Sequence, residues 1–238
     1  MSTNNPSSSR TPPVRVYLID DHELVLSSLV NLLNAYDWIE IVGSSSSGKT
    51  GLDEVLALKP DVCVLDVRLP DSDAAEIIAT IKANAPATAV LCLSSFDSKY
   101  EISEMIRAGA SGYLLKHVSA DEFVNAIEQV SRGVTVLHPE IARKIIEVSR
   151  DGEERGLILK HLTEREIEVL RAIGLGLSNR EISARLFLSE DTVKTHISRI
   201  LSKLRVRNRV EAVAAAIRLG ILEPEEIGTG RETGLSEE

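Results

Sequence analysis

Five polar side chains stand where apolar, β-branched runs end. Asp20 and Asp21 follow VRVYLI, Asp66 closes VCVLD, Ser94 closes AVLCLS, and Lys116 follows GYLL. In an open sheet of parallel strands, ligands bind at the carboxyl ends of the strands, beside the point where strand order reverses. Three carboxylates, a hydroxyl and an ammonium would therefore converge on one edge. Crowded carboxylates repel, and a divalent hard cation with oxygen ligands relieves that repulsion, so the set suits Mg²⁺. GSSSSGKT (43–50) offers a competing chemistry, because it matches the phosphate-cradling pattern G-x-x-x-x-G-K-[ST] at every fixed position. It lies between the apolar run IEIVG and the helix-like LDEVLALK, the context that such a loop requires. Taken as a nucleotide hydrolase, the chain would use VCVLD as its metal-binding strand but leave Asp20, Asp21, Ser94 and Lys116 without roles.

The elements that must position these groups are legible from 14 to 133. Short β-branched runs alternate there with amphipathic helical stretches: VRVYLI with HELVLSSLVNLLNAY, IEIVG with TGLDEVLALK, VCVLD with AAEIIATIKAN, AVLCLS with SKYEISEMIRAGA, and GYLL with ADEFVNAIEQVSR. Such β-α units predict an α/β fold, a five-stranded, doubly wound parallel sheet covered by helices on both faces. Counted this way, GSSSSGKT follows the second strand, and its serines read as a solvated loop. Ser119 with Glu122 forms a capping box for the last helix, and Gly133 lies just past its end.

Residues 134–159 carry the amphipathic HPEIARKIIEVSR and then DGEERG, a helix leading into a linker. From 160 to 222 the strand signal disappears. Four helices are predicted over about 163–173, 178–186, 189–204 and 208–219, the first three started by capping boxes at Thr163/Glu166 and Ser178/Glu181 and a cap at Ser189. A polar arm (1–13) and an acidic, disordered tail (223–238) complete the division.

At 238 residues and 43% hydrophobic, the chain can bury a sizeable core. No apolar run approaches the ~20 residues that span a bilayer, and the polar start lacks a signal core, so no membrane association and a cytoplasmic location are expected. Cys63 and Cys92 sit inside apolar strand-like runs and read as buried, reduced thiols. The net charge of -9 hides a segregation: 14–133 holds 9 basic and 18 acidic residues, 160–222 holds 12 and 7, and 223–238 holds 1 and 6. An acidic front half joined to a basic module points to a polyanion as the second module's partner.

IDDHELV, VLDVRLPD, LCLSS and GASGYLLK together resemble the motifs of the flavodoxin-like receiver domain of two-component response regulators, across 14–133. The resemblance implies that Asp66 takes a phosphoryl group from a sensor histidine kinase. Mg²⁺ would be held by Asp21, Asp66 and the backbone carbonyl of Arg68, with Asp20 assisting. Lys116 would pair with the acyl phosphate, Ser94 would move to hydrogen-bond it, and Tyr113 fits the aromatic switch position that turns inward as Ser94 moves. The family's usual glycine after the acceptor motif is Ala74 here, and its usual proline after the lysine is His117.

In SEDTVKTHISRILSKL, Val193, Ile197, Ile200, Leu201 and Leu204 form an apolar stripe, leaving Lys194, Thr195, Ser198, Arg199 and Ser202 outward. Between 180 and 209 there are eight basic and three acidic residues. This is the arrangement of a helix-turn-helix whose second helix enters the major groove. The stretch from HLTEREIEVL to IRLGI resembles the LuxR-type DNA-binding domain along its whole length, which makes the chain similar to a NarL/FixJ-type response regulator. That resemblance implies base contacts from Lys194, Thr195 and Ser198, and phosphate contacts from Arg180, Thr192, Arg199, Lys203 and Arg207. It implies a transcription regulator that binds double-stranded promoter DNA as a homodimer through 208–219, works alongside RNA polymerase, and is not a dedicated enzyme. The glycine usual after the recognition helix is Arg205. The departures at Ala74 and His117 keep open a constitutive DNA-binding regulator whose receiver acts without phosphate.

Overall fold

The computed structural model describes residues 12–95, 99–138, 140–143 and 162–228. Its first half runs β1 (Val14–Ile19), α1 (Glu23–Leu33), β2 (Ile39–Ser45), α2 (Gly48–Leu58) and β3 (Val62–Asp66). There follow β4 (Arg68–Leu69), β5 (Ser72–Asp73), α3 (Ala74–Asn84), β6 (Ala89–Ser94), α4 (Lys99–Ala108), β7 (Gly112–Leu115), α5 (Ala120–Ser131) and β8 (Val136–Leu137). The main sheet is parallel with order β2-β1-β3-β6-β7-β8. The reversal falls between β1 and β3, so Asp20, Asp21 and Asp66 leave neighbouring strands at the same edge.

Strands β3, β6 and β7 are buried at every position, as expected of parallel strands covered on both faces, whereas edge strand β2 is only partly covered. Alternate side chains divide between two apolar layers. Val16, Leu18, Leu91, Phe123 and Ile127 pack on the α1 and α5 side, and Tyr17, Ile19, Cys63, Leu65, Ile78 and Ile81 on the other. Both cysteines are free and buried; burial pushes the Cys63 thiol up to about 12, as expected of inert core thiols.

The second half is helical: α6 (Glu164–Gly174), α7 (Asn179–Leu186), α8 (Glu190–Leu204) and α9 (Arg209–Arg218). Thr163 and Ser178 complete their capping boxes, and Ser189 accepts from the Thr192 amide. The Ser119 box at α5 also forms. Helix α8 ends on Arg205 with φ 55°, the left-handed conformation that glycine adopts more cheaply. Helix α9 is buried on nearly all sides, at Val210 and from Ala212 to Ile217. It packs against α6 and α8 and also against α4 of the first half, where the Asn208 side chain donates to the Ile106 carbonyl at 2.9 Å. The apolar cluster is continuous across this junction.

Three features depart from expectation. The sheet gains a sixth strand, because Val136 and Leu137, just past Gly133, return to pair with Gly112 and Tyr113. Strands β4 and β5 form a two-residue hairpin directly after the acceptor motif. Residues 223–228, assigned to the disordered tail, begin with a 3-10 turn at Pro224–Glu226 and tie back through the Gly228 amide to the Gly174 carbonyl. Of the expected linker helix, 140–143 are helical and the rest lies outside the described residues, as do most of the arm and 229–238.

Ile200 is fully buried on the inner face of α8. Ile200→Ala is expected to lower the stability of the helical half by about 2–5 kcal/mol in urea denaturation, with exposed Ser202→Ala within about 0.5 kcal/mol of the unaltered chain.

Candidate functional site

The sheet's carboxyl edge is assembled by backbone pairing. The Lys116 amide donates to the Ser94 carbonyl at 2.8 Å and the Val67 amide to the Leu93 carbonyl at 3.2 Å, which fixes the ends of β3, β6 and β7 side by side. Lys116 Nζ lies 2.6 Å from Asp20 Oδ2 and 2.7 Å from Asp66 Oδ2, bridging two buried carboxylates. The Arg68 amide donates to the other Asp66 oxygen at 3.1 Å. Ser94 is buried beside them.

Burial raises the Asp66 pKa, and the bonds from Lys116 and the Arg68 amide oppose it. Burial would pull Lys116 down, but its bonds to Asp20 and Asp66 prevail and hold it up. Tyr113 is fully buried and faces inward; burial pushes its phenol up to about 12.

Asp20, Asp21, His22 and Asp66 each place a ligand atom within 4.8 Å of the others. Asp21 Oδ1 is buried. A shielded carboxylate oxygen clustered with two further carboxylates fits a cation-binding role. His22 was not singled out from the sequence, though it stands in IDDHELV; its Nδ1 lies 2.7 Å from Asp21 Oδ1, an ion pair only when protonated. A groove of about 460 Å³ opens beside the cluster, lined by Asp21, Arg68, Pro70, Glu101 and Met105 among others.

On the helical half, Lys194, Thr195, Ser198 and Arg199 lie exposed on the outer face of α8, with Thr192 near its start and Arg180 exposed on α7. Two further candidates are placed elsewhere. Lys203 Nζ reaches 2.6 Å from Glu166 Oε2, a buried carboxylate that also caps α6 through Thr163. Arg207 lines a cleft of about 700 Å³ between the two halves, together with Lys82, Arg107 and Arg209.

Residues 16–128 match the response regulator receiver domain, and residues 160–216 match the bacterial regulatory proteins of the luxR family. The chain is 36% identical over 216 residues to the transcriptional regulatory protein LnrK of Bacillus subtilis (strain 168), covering 87% of this chain and 98% of that protein. The chain belongs to the LuxR-type response regulators. This response regulator is also 36% identical to the response regulator protein VraR of Staphylococcus aureus (strain NCTC 8325 / PS 47), over 88% of its own length and 99% of VraR. Among solved structures, a LuxR-family two-component response regulator from Aurantimonas sp. SI85-9A1 aligns with TM-score 0.54 and 26% identity, over 57% of this chain and 97% of that one. The RcsB response regulator of Salmonella typhimurium shares the fold at TM-score 0.53 and 22% identity, over 85% of this chain and 97% of RcsB. Among the described residues no helix is long and apolar enough to cross a membrane.

Burial would raise the Glu166 pKa, but the bonds from Lys203 and Thr163 prevail and hold it below the ordinary 4.5. A carboxyl depressed in the folded state contributes stability that is present above its unfolded pKa and lost as pH falls through the folded value. Glu166→Gln is therefore expected to destabilise the helical half by about 1–3 kcal/mol at pH 7. The gap to the unaltered chain should hold down to about pH 4.5 and close below it, as read by chemical denaturation at a series of pH values.

Proposed function

We propose that Asp66 accepts a phosphoryl group from a sensor histidine kinase, and that the modification controls dimeric binding to promoter DNA. The observation that carries this reading is the Lys116 ammonium bridging Asp20 and Asp66 within the cluster that Asp21 completes. Asp21, Asp66 and the Arg68 carbonyl, with Asp20 in support, are the groups that would hold Mg²⁺. The bound ion would cancel charge between the carboxylate and the incoming phosphoryl group. An Asp66 carboxylate oxygen attacks the phosphorus in line, the bond from phosphorus to the kinase's histidine nitrogen breaks, and the imidazole leaves with the electron pair. Lys116 then pairs with the acyl phosphate, and the Ser94 hydroxyl turns to hydrogen-bond it.

Helix α4 follows Ser94 closely in the chain and is the receiver helix against which α9 packs. Movement at Ser94 is thereby coupled to α9, the helix this reading assigns to pairing of the DNA-binding halves. The outer face of α8 stays exposed while α9 is covered, so restraint in this arrangement falls on dimerisation rather than on base contact. Lys194, Thr195 and Ser198 read bases, and Arg180, Thr192 and Arg199 hold phosphates. Arg207 joins them once the halves separate, and Lys203 contributes only by leaving Glu166. The protein works in the cytoplasm with RNA polymerase as its partner at the promoter, and it catalyses nothing beyond its own phosphoryl chemistry.

Incubation with Mg²⁺ and acetyl phosphate should add one phosphoryl group to the unaltered protein and none to Asp66→Asn, by intact mass. Equal mass in both would reject the acceptor. Lys194→Ala is expected to cost about 1–3 kcal/mol on the preferred sequence and to relax discrimination, whereas Arg199→Ala should weaken all sequences alike and reduce the salt slope by about 1, both read by DNA titration at several salt concentrations.

A further inference from the structure

The turn from β2 into α2 within GSSSSGKT holds an anion, and that anion belongs to the protein. Ser47 caps α2 and accepts from the Thr50 amide. Its hydroxyl donates to Asp71 Oδ2 at 2.7 Å, and the Gly48 amide donates to Asp71 Oδ1 at 3.1 Å. The Lys49 amide also contributes, and Ser72 Oγ donates to Asp71 Oδ1 at 3.0 Å. With these donors around it, chiefly Ser47, the Asp71 carboxyl is held down at about 2. The amide groups at the start of α2 that a phosphate would need are thus engaged by a carboxylate. Gly48 is required by the same contact, since a Cβ there would lie 2.6 Å from Ser72 Oγ and 2.9 Å from Leu69 Cδ1.

Asp71 sits at the tip of the β4–β5 hairpin, whose first strand carries Arg68. The Arg68 amide holds Asp66 Oδ1, and the Arg68 carbonyl is a ligand in the reading above, on which this inference rests. The other end of the loop leads to the same cluster. The Ser45 hydroxyl donates to the Ser47 carbonyl at 2.9 Å and accepts from the Ser47 amide at 3.1 Å. The Ser45 carbonyl accepts from the Asp20 amide at 3.2 Å. A continuous path of hydrogen bonds and short chain segments therefore runs from Asp20 through Ser45, Ser47, Asp71 and Arg68 to Asp66.

We infer that Asp71 is a positioning residue for the metal and phosphoacceptor site: clamped by Ser47 and the start of α2, it holds the β4–β5 hairpin so that the Arg68 carbonyl stays aligned with Asp21 and Asp66. Mg²⁺ demands near-octahedral geometry with short bonds, so a loosened carbonyl lowers affinity for the ion more than it lowers the rate once the ion is bound. Asp71 is exposed and lies outside the core, so its replacement leaves the fold intact.

The test is calorimetric titration of Mg²⁺ into the full chain without phosphodonor, paired with the Mg²⁺ dependence of phosphorylation by acetyl phosphate. Asp71→Ala should raise the Mg²⁺ dissociation constant roughly 10-fold and the half-saturating Mg²⁺ by a similar factor, with the saturated rate within about 2-fold. Asp71→Asn, which keeps size and loses charge, should lie between. Ser47→Ala should shift the constant in the same direction, and the double variant should be no weaker than Asp71→Ala, because both remove one interaction. Unchanged Mg²⁺ affinity in the variants, alongside a native protein that binds Mg²⁺ and takes the phosphoryl group, would overturn the inference alone, as would fully additive shifts. A native protein that does neither would overturn the reading beneath it.

Discussion

The receiver half is organised around two buried carboxylates that share one ammonium. Asp20 and Asp66 are taken out of water on adjacent strands, where their mutual repulsion is poorly screened, and Lys116 arrives from a third strand to span them. Removing charges from water costs several kcal/mol per ion, and one ammonium cannot offset that for three neighbouring acids. Asp21 adds a third carboxylate, whose shielded Oδ1 has His22 Nδ1 2.7 Å away. Such a cluster suits the uptake of positive charge, which the proposed phosphoryl chemistry at Asp66 requires. The parallel sheet makes this possible because register, rather than side-chain choice, brings residues so distant in sequence to one edge.

That edge communicates with the helical half through ordinary packing. Ser94 ends β6, α4 follows within a few residues, and α4 packs on α9 while the Asn208 side chain caps a carbonyl near its end. Asn208 also accepts from the Glu211 amide, so one side chain closes the start of α9 and fastens it to α4. Packed interfaces are bistable rather than continuously deformable, so in the proposed switch a small displacement beside Ser94 would become separation of α9 from α4.

Much of this was legible in the chain. The alternation of β-branched runs with amphipathic stretches carried the parallel sheet, because strands buried on both faces read as apolar runs, while the strand order came with the resemblance to receiver domains. The capping boxes at Ser119, Thr163 and Ser178 marked helix starts to within a residue, since they record a local hydrogen bond. What was not legible depended on distant partners. A two-residue strand such as Val136–Leu137 is too short to show a period. The pairing of Lys203 with Glu166 needs two helices in register, and from sequence alone Lys203 is one more outward cation. The partner of GSSSSGKT was hidden for the same reason: its amides do face an anion, but that anion, Asp71, lies 24 positions beyond Ser47.

In the proposed switch, phosphoryl transfer to Asp66 releases α9 from α4, which a spin-label distance between Glu104→Cys on α4 and Ser202→Cys on α8 would read, both sites being exposed in a chain whose own cysteines are buried. With Mg²⁺ and acetyl phosphate the distance should lengthen in the otherwise native chain and stay fixed when Asp66→Asn is added. A chain that carries the phosphoryl group by mass yet keeps the short distance would show that phosphorylation leaves α9 docked on α4.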